Sequence, residues 1–158
     1  YLLSQFFSPL TNKRTDLYGG EVLNRIRLHL EVIKKVREVV GEEYPVFIRL
    51  GASDYAEGGV TLEDSLIAAK EFEKAGVDVL DISGGLNGYK VENESEEGYF
   101  WPLTEAIKKN TNIPVILTGG VVSSKGAEEL LANGKADLIG VGRAILKDSL
   151  WAKQAMEV

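Results

Sequence analysis

Four short apolar runs, each leading towards a helix-like segment, constrain the fold of this chain more than any other feature. The runs begin near residues 46, 77, 113 and 138, about 25 to 36 residues apart, which is the spacing of βαβ units. Mostly apolar strands are typical of a parallel sheet that is covered by helices. With no linker or low-complexity segment, the pattern predicts an α/β fold of four parallel βα units in one domain, residues 1–158.

Helices are predicted between these strands from apolar spacing and from capping residues. One follows the apolar repeat of residues 23–40 and ends at Gly41, and a second begins at Thr61, which forms a possible capping box with Asp64. Two more are expected at residues 103–110 and from Ser123 or Ser124 to about residue 132. Residues 1–20 are expected to form a loop, because proline and glycine interrupt any long periodicity.

A parallel sheet of four strands leaves two edges unpaired, and native proteins cover, close or join such edges. The chain has 158 residues and begins with Tyr1, whereas a complete (β/α)8 barrel has about 250 residues. We therefore expect a fragment, the C-terminal half (strands five to eight) of a TIM barrel. We further predict that it needs the N-terminal half or self-association, and that it forms a homo-oligomer.

The composition argues against several classes of partner. The net charge is -6 and no stripe of Lys and Arg with interleaved aromatic residues occurs, so nucleic acid is not expected as a partner. The span contains no cysteine, which excludes disulfides and thiolate chemistry within it and fits a reducing compartment. The apolar runs are only of strand length. We predict no membrane association and a cytoplasmic location.

The last two apolar runs end on glycine, in the sequences PVILTGG and LIGVGR. Glycine at the end of a strand, followed by a helix, leaves bare backbone N–H groups for an anion. Two such turns on successive units, with an arginine beside the second, are expected above strands seven and eight of a barrel that binds phosphate. Gly119, Gly120, Gly142 and Arg143 are therefore the predicted phosphate site. The alternative is that the glycines only serve tight turns with positive φ.

Arg49 is expected near the C-terminal end of its strand, on the same rim as the glycine turns. A guanidinium there could hold an electron-rich oxygen or nitrogen of a ligand. The alternative is that Arg49 only pairs with an acidic neighbour such as Asp81.

Other candidate residues receive structural interpretations. His29 lies inside a helical repeat and is expected to be structural. No histidine is placed to activate a serine, so nucleophilic hydrolysis has no support. The acidic residues of the loop before the third helix lack metal-ligand spacing and are interpreted as a solvated lid. They are Glu92, Glu94, Glu96 and Glu97.

The opening run YLLSQFFSPLTNKRTDLYGG, followed by LNRIRL, resembles the Old Yellow Enzyme family of FMN-dependent NAD(P)H:flavin oxidoreductases. The resemblance extends through FIRLGASDY, VDVLDISGG, PVILTGGV and ADLIGVGRAIL. It covers the C-terminal half of that barrel, and it implies FMN as the cofactor and NAD(P)H as the reductant. The implied reaction is hydride transfer from NAD(P)H to flavin and then to an activated alkene.

The resemblance also implies roles for individual residues. Arg49 would meet the flavin ring near N1 and O2, where its charge stabilises the reduced, anionic flavin. Gly119, Gly120, Gly142 and Arg143 match positions that hold the FMN phosphate. Tyr1 matches a tyrosine that protonates the substrate in some members, and is the predicted catalytic residue. The family's substrate-binding His-x-x-His/Asn pair would lie before Tyr1, so the chain alone is expected to be inactive.

Two alternatives remain from the sequence. The chain could act only as an FMN- or phosphate-binding module that self-associates through its open edges, without turnover. A sugar-phosphate isomerase or aldolase barrel would use the same phosphate turns, but it calls for acid and base residues on strand ends, and no lysine lies there.

Overall fold

A four-stranded parallel sheet forms the centre of the fold in the computed structural model, which describes residues 1–86, 91 and 96–157. Its strands follow one another in chain order and pair only with their sequence neighbours. They are β1 (Phe47–Gly51), β2 (Val79–Ser83), β3 (Val115–Leu117) and β4 (Leu138–Ile139). The predicted α/β fold of parallel units is confirmed, and these units correspond to the C-terminal half of a (β/α)8 barrel.

Helices precede, separate and follow the strands. They are α1 (Leu2–Phe7), α2 (Val22–Arg25), α3 (Arg27–Val40), α4 (Leu62–Lys74), α5 (Trp101–Asn110), α6 (Ser124–Ala132), α7 (Arg143–Lys147) and α8 (Trp151–Met156). Among the described residues, none of these helices combines the length and the apolar composition that crossing a bilayer requires.

The prediction for the first 40 residues is wrong in two places. Residues 2–7 form a helix rather than a loop, because burying Phe7, which is 3% exposed, stabilises this turn against weak local signals. The helix predicted over residues 23–40 is interrupted at Ile26, which has φ -90 and ψ -2. Its core-facing residues include Val22 and His29, whereas Leu23 is 53% exposed.

Local capping signals were more reliable. The Thr61 hydroxyl accepts the N–H of Asp64 at 3.2 Å, and Ser123 accepts the N–H of Gly126 at 3.0 Å. Only half of the predicted capping box forms at α4, because the Asp64 carboxylate accepts a hydrogen bond from Arg25 Nη2 at 2.7 Å instead. Both helix starts were therefore located correctly.

The two faces of the sheet differ sharply in exposure. Leu80, Ile82 and Leu117 face the helices and are 0% exposed. On the opposite face the strand register aligns Arg49, Asp81, Ile116 and Leu138 in one row. Leu138 is 46% exposed there. This open face corresponds to the interior of a closed barrel, where side chains from all strands pack in layers.

Candidate functional site

Arg49 lies on the open face of β1 and pairs with Asp81 of β2. Its Nε is 2.9 Å from Asp81 Oδ2, and the Arg49 side chain is 62% exposed. The pairing of Arg49 with Asp81, which the sequence analysis gave as an alternative, is therefore confirmed. The pairing occupies Nε, and among the described residues neither Nη atom has a hydrogen-bond acceptor, so part of the guanidinium is free for a ligand.

Asp81 is only partly satisfied by this contact. Its Oδ1 is buried and has no hydrogen-bond partner within the described part of the chain. Burial raises the pKa of Asp81 above its ordinary value, and the Arg49 charge opposes this rise without cancelling it. The carboxylate thus orients Arg49 through a single oxygen.

Arg49 lines a cavity between the opening segment of the chain and β1. Residues that line it include Leu3, Ser4, His29, Arg49, Asp54 and Leu86. His29 is buried and stacks on Phe72, with ring centroids 5.5 Å apart. Burial lowers the pKa of His29 to about 4, so the imidazole is neutral at pH 7. This environment agrees with the structural role predicted for His29.

Asp54 is a buried carboxylate that the sequence analysis did not identify. It is 1% exposed, and its Oδ2 accepts the Ser8 hydroxyl at 2.5 Å and the Val60 N–H at 2.8 Å. Its Oδ1 accepts the Leu86 N–H at 2.7 Å. Asp54 therefore joins the opening segment to the loops after β1 and β2. The available signal was an acidic residue just after a strand and before the Gly58-Gly59 turn.

Tyr1, the predicted catalytic residue, is not brought into contact with Arg49. It precedes α1, is 99% exposed, and its carbonyl accepts the Gln5 N–H at 3.1 Å. Its neighbours Leu3 and Ser4 reach the cavity instead. The role of Tyr1 stays a prediction.

The two glycine turns differ in whether their conformation and surroundings require glycine. Gly119 and Gly120 have φ of 112° and 71°, and a Cβ on them would lie 2.9 and 2.7 Å from the Tyr99 ring. Gly142 has φ of -122°, and nothing lies within 4 Å of a Cβ placed there. The alternative based on positive φ thus applies to the first turn but not to Gly142, which leaves open space next to Arg143.

These turns present donors that the described residues do not use. The backbone N–H groups of Gly119, Gly120, Gly142 and Arg143 have no acceptor within residues 1–86, 91 and 96–157. Within the same ranges, no carboxylate pairs with the exposed Arg143 guanidinium. Its Nη2 donates to the Tyr99 hydroxyl at 3.1 Å. Bare N–H groups beside a guanidinium that no carboxylate of the described residues neutralises suit a phosphate.

Glu97 corrects the interpretation of the acidic loop as simply solvated. Its carboxylate accepts the N–H groups of Val122 and Ser123 at 2.9 and 3.1 Å, and the Ser123 hydroxyl at 2.8 Å. Although burial acts to raise it, these hydrogen bonds hold the pKa of Glu97 below its ordinary value. Glu92 and Glu94 lie outside the described residues.

Comparison with known proteins relates the chain to flavin enzymes. A family model described as the NADH:flavin oxidoreductase / NADH oxidase family matches residues 1–157. An NADH oxidase of Thermoanaerobacter brockii is 43% identical over 161 residues, which is 99% of this chain and 25% of that protein. An NADPH dehydrogenase of Halalkalibacterium halodurans is 43% identical over 155 residues, covering 98% of this chain and 45% of that protein.

A solved structure shows the same arrangement of elements. The complex of 2-naphthoyl-CoA reductase with 2-naphthoyl-CoA superimposes with a TM-score of 0.91 at 31% sequence identity. The match covers 99% of this chain and 24% of that chain. This chain therefore spans a quarter to just under half of the relatives that it matches.

Proposed function

The chain belongs to the NADH:flavin oxidoreductase / NADH oxidase family, and we propose that it forms the C-terminal half barrel of an FMN-dependent ene-reductase. The resemblance to the Old Yellow Enzyme family is thereby confirmed. Membership implies FMN as the cofactor and NADH or NADPH as the reductant. The proposal also includes an activated alkene as substrate, domain boundaries at residues 1–158, a homo-oligomer and a cytoplasmic location.

The proposal depends on the two glycine turns beside Arg143, whose backbone N–H groups have no acceptor among the described residues. The N–H groups of Gly119, Gly120 and Gly142 would bind phosphate oxygens, while Arg143 adds a positive charge and further donors. A side chain at Gly119 or Gly120 would collide with the Tyr99 ring. The donor set and its shape fit the phosphate end of FMN.

Arg49 would act at the other end of the cofactor. When bound, FMN supplies hydride transfer between a nicotinamide and an activated C=C bond. The Arg49 guanidinium would donate to the ring edge and stabilise negative charge there, with Asp81 holding it through Nε. Tyr1, exposed at the start of α1, would donate a proton to the substrate. A relative that binds 2-naphthoyl-CoA supports an unsaturated, carbonyl-activated substrate.

The open face of the sheet favours a covering partner. Phe47 and Leu138 on this face are 57% and 46% exposed, and Arg49 lies in the same row as Leu138. An N-terminal half barrel would cover these residues and complete the site. This requirement is why we expect the 158 residues alone to be inactive.

The test uses the full-length protein and its visible flavin absorbance. We expect bound FMN in the unmodified protein, and its loss when Arg49→Ala is combined with Arg143→Ala. Arg14→Ala is the control, because Arg14 pairs with Asp16 on an exposed surface. Absence of flavin from the unmodified protein, or retention of flavin in the double variant, would contradict the proposal.

The same open face favours a second candidate, a binding module that self-associates without turnover. Sedimentation and FMN titration of the 158 residues separate the two functions. Self-association together with weak FMN binding would support the module. A monomer that does not bind FMN would exclude it.

A further inference from the structure

Tyr99 packs against both glycines of the turn that follows β3. It is 7% exposed and lies just before α5, where its ring meets Phe100 edge to face with centroids 4.6 Å apart. A Cβ on Gly119 would be 2.9 Å from its Cε2, and one on Gly120 would be 2.7 Å from its Cε1. Opposite edges of one ring therefore cover the two glycines.

The hydroxyl of the same side chain contacts the second turn. Tyr99 Oη accepts a hydrogen bond from Arg143 Nη2 at 3.1 Å. A buried phenol usually needs a polar partner, and here that partner is a guanidinium at the end of an otherwise exposed side chain. The bond uses one of the five guanidinium N–H donors, and the others have no acceptor in the part of the chain that the structure describes, so they remain for an anion.

The segment that carries Tyr99 is fixed independently of Arg143. Two residues earlier, the Glu97 carboxylate binds the N–H groups of Val122 and Ser123. The carbonyl oxygen of Glu96 would lie 3.1 Å from a Cβ on Gly120, so the backbone also follows the turn closely. Tyr99 thus has a defined position from which it can orient a flexible arginine.

We propose that Tyr99 is a positioning residue that orients Arg143 towards the Gly119–Gly120 turn, so that both glycine turns bind one phosphate. The inference rests on the proposed function, because the phosphate is that of FMN. Its consequence is a preference for FMN over riboflavin, which has the same ring system without phosphate. The preference depends on the Tyr99 hydroxyl as well as on Arg143.

The test measures dissociation constants of FMN and riboflavin for the full-length apoprotein by quenching of flavin fluorescence. Tyr99→Phe keeps the ring on the glycines and removes only the hydroxyl. Because a hydrogen bond to a charged group is lost, we expect the preference for FMN to fall about tenfold, with riboflavin affinity unchanged. Tyr55→Phe is the matched control, since Tyr55 also stacks on Phe100, at 6.2 Å, and is 43% exposed.

A double-mutant cycle distinguishes positioning from general stability. In an Arg143→Ala background, Tyr99→Phe should have no further effect on the preference, because the group that it positions is gone. Equal additional loss in that background would overturn the inference. If Tyr99→Phe keeps the original preference while Arg143→Ala reduces it, Tyr99 has no positioning role but the proposed phosphate site stands. If Arg143→Ala also changes nothing, both the site and the inference are wrong.

Discussion

The β1–β2 rim, defined by Arg49, Asp54 and Asp81, and the β3–β4 rim, defined by Gly119, Gly120, Gly142 and Arg143, are built by different means. The first depends on carboxylates, one buried at Asp54 and one half-satisfied at Asp81. The second depends on glycine backbone and on aromatic packing. We therefore expect the β1–β2 rim to respond to charge and pH, and the β3–β4 rim to respond to side-chain size.

Removing the Asp54 carboxylate should produce the largest effect. Asp54→Ala leaves the buried donors of Ser8 and Val60, and the partly buried N–H of Leu86, without their acceptor. We expect the free energy of unfolding to fall by at least about 3 kcal/mol, measured by urea denaturation. Asp16→Ala, on an exposed side chain, should change it by less than about 0.5 kcal/mol. A loss at Asp54 as small as that of the control would contradict its role.

His29 should make the region below the β1–β2 rim sensitive to acid. Because its folded pKa is about 4, below the ordinary 6.5, the unfolded chain binds the proton first. Stability is fully present above pH 6.5 and falls as the pH drops towards 4, by about 3 kcal/mol in total. His29→Leu should abolish this part of the dependence in urea unfolding curves collected across that range. An unchanged pH profile would contradict it.

Side-chain size should matter at Gly120 but not at Gly142. Gly120→Ala places a methyl group at positive φ and against the Tyr99 ring. We expect a loss of about 1 to 3 kcal/mol in the free energy of unfolding. Gly142→Ala has open space and negative φ, and should be almost neutral in the same assay. Equal effects of the two variants would remove the distinction between the turns.

Asp81→Asn should produce the smallest change in the free energy of unfolding. The sign of this change tells whether the fold favours the neutral or the charged form of Asp81. Because the folded pKa of Asp81 is raised, its stabilising contribution is present below the ordinary pKa and lost as pH rises through the folded value. The variant should therefore be more stable at pH 7, by less than about 1 kcal/mol, with a smaller gain at pH 5.

Asp78→Asn is the control for that sign. The Val46 N–H lowers the pKa of Asp78, as does the contact with Arg37, against the effect of burial. The control should therefore lose stability at pH 7. If the stability gained by Asp81→Asn grows as the pH falls, the folded protein stabilises the charged Asp81 carboxylate, and the predicted sign is wrong.

Features that depend on neighbours in the chain were predictable from the sequence. The caps at Thr61 and Ser123 involve residues three positions apart, and Gly41 has the positive φ, 78°, expected at the end of a helix. The Arg49–Asp81 pair joins residues that are far apart in the chain, and it was nevertheless foreseen as an alternative, because adjacent parallel strands come into register. The break at Ile26 was missed, since the apolar repeat continues across it.

The missed parts of the site depend on long-range contacts. Asp54 meets Ser8 across 46 positions, Glu97 meets Ser123 across 26, and Arg143 meets Tyr99 across 44. No local pattern encodes such distances, because they arise from how the loops pack over the strand ends. For the same reason, the sequence did not show that Glu97, in a polar loop, binds the segment that follows the Gly119–Gly120 turn.

The sequence by itself determined the parallel βα order, the helix caps, the glycine turns and the family, because these depend on residue type and spacing along the chain. Only the tertiary structure decided that Gly119 and Gly120 need glycine while Gly142 does not, since that depends on φ and on the Tyr99 ring. It also decided that Asp54 is buried and that Arg143 has an aromatic partner. Burial and hydrogen bonding in these places follow from residues far apart in the chain coming to one rim of the sheet.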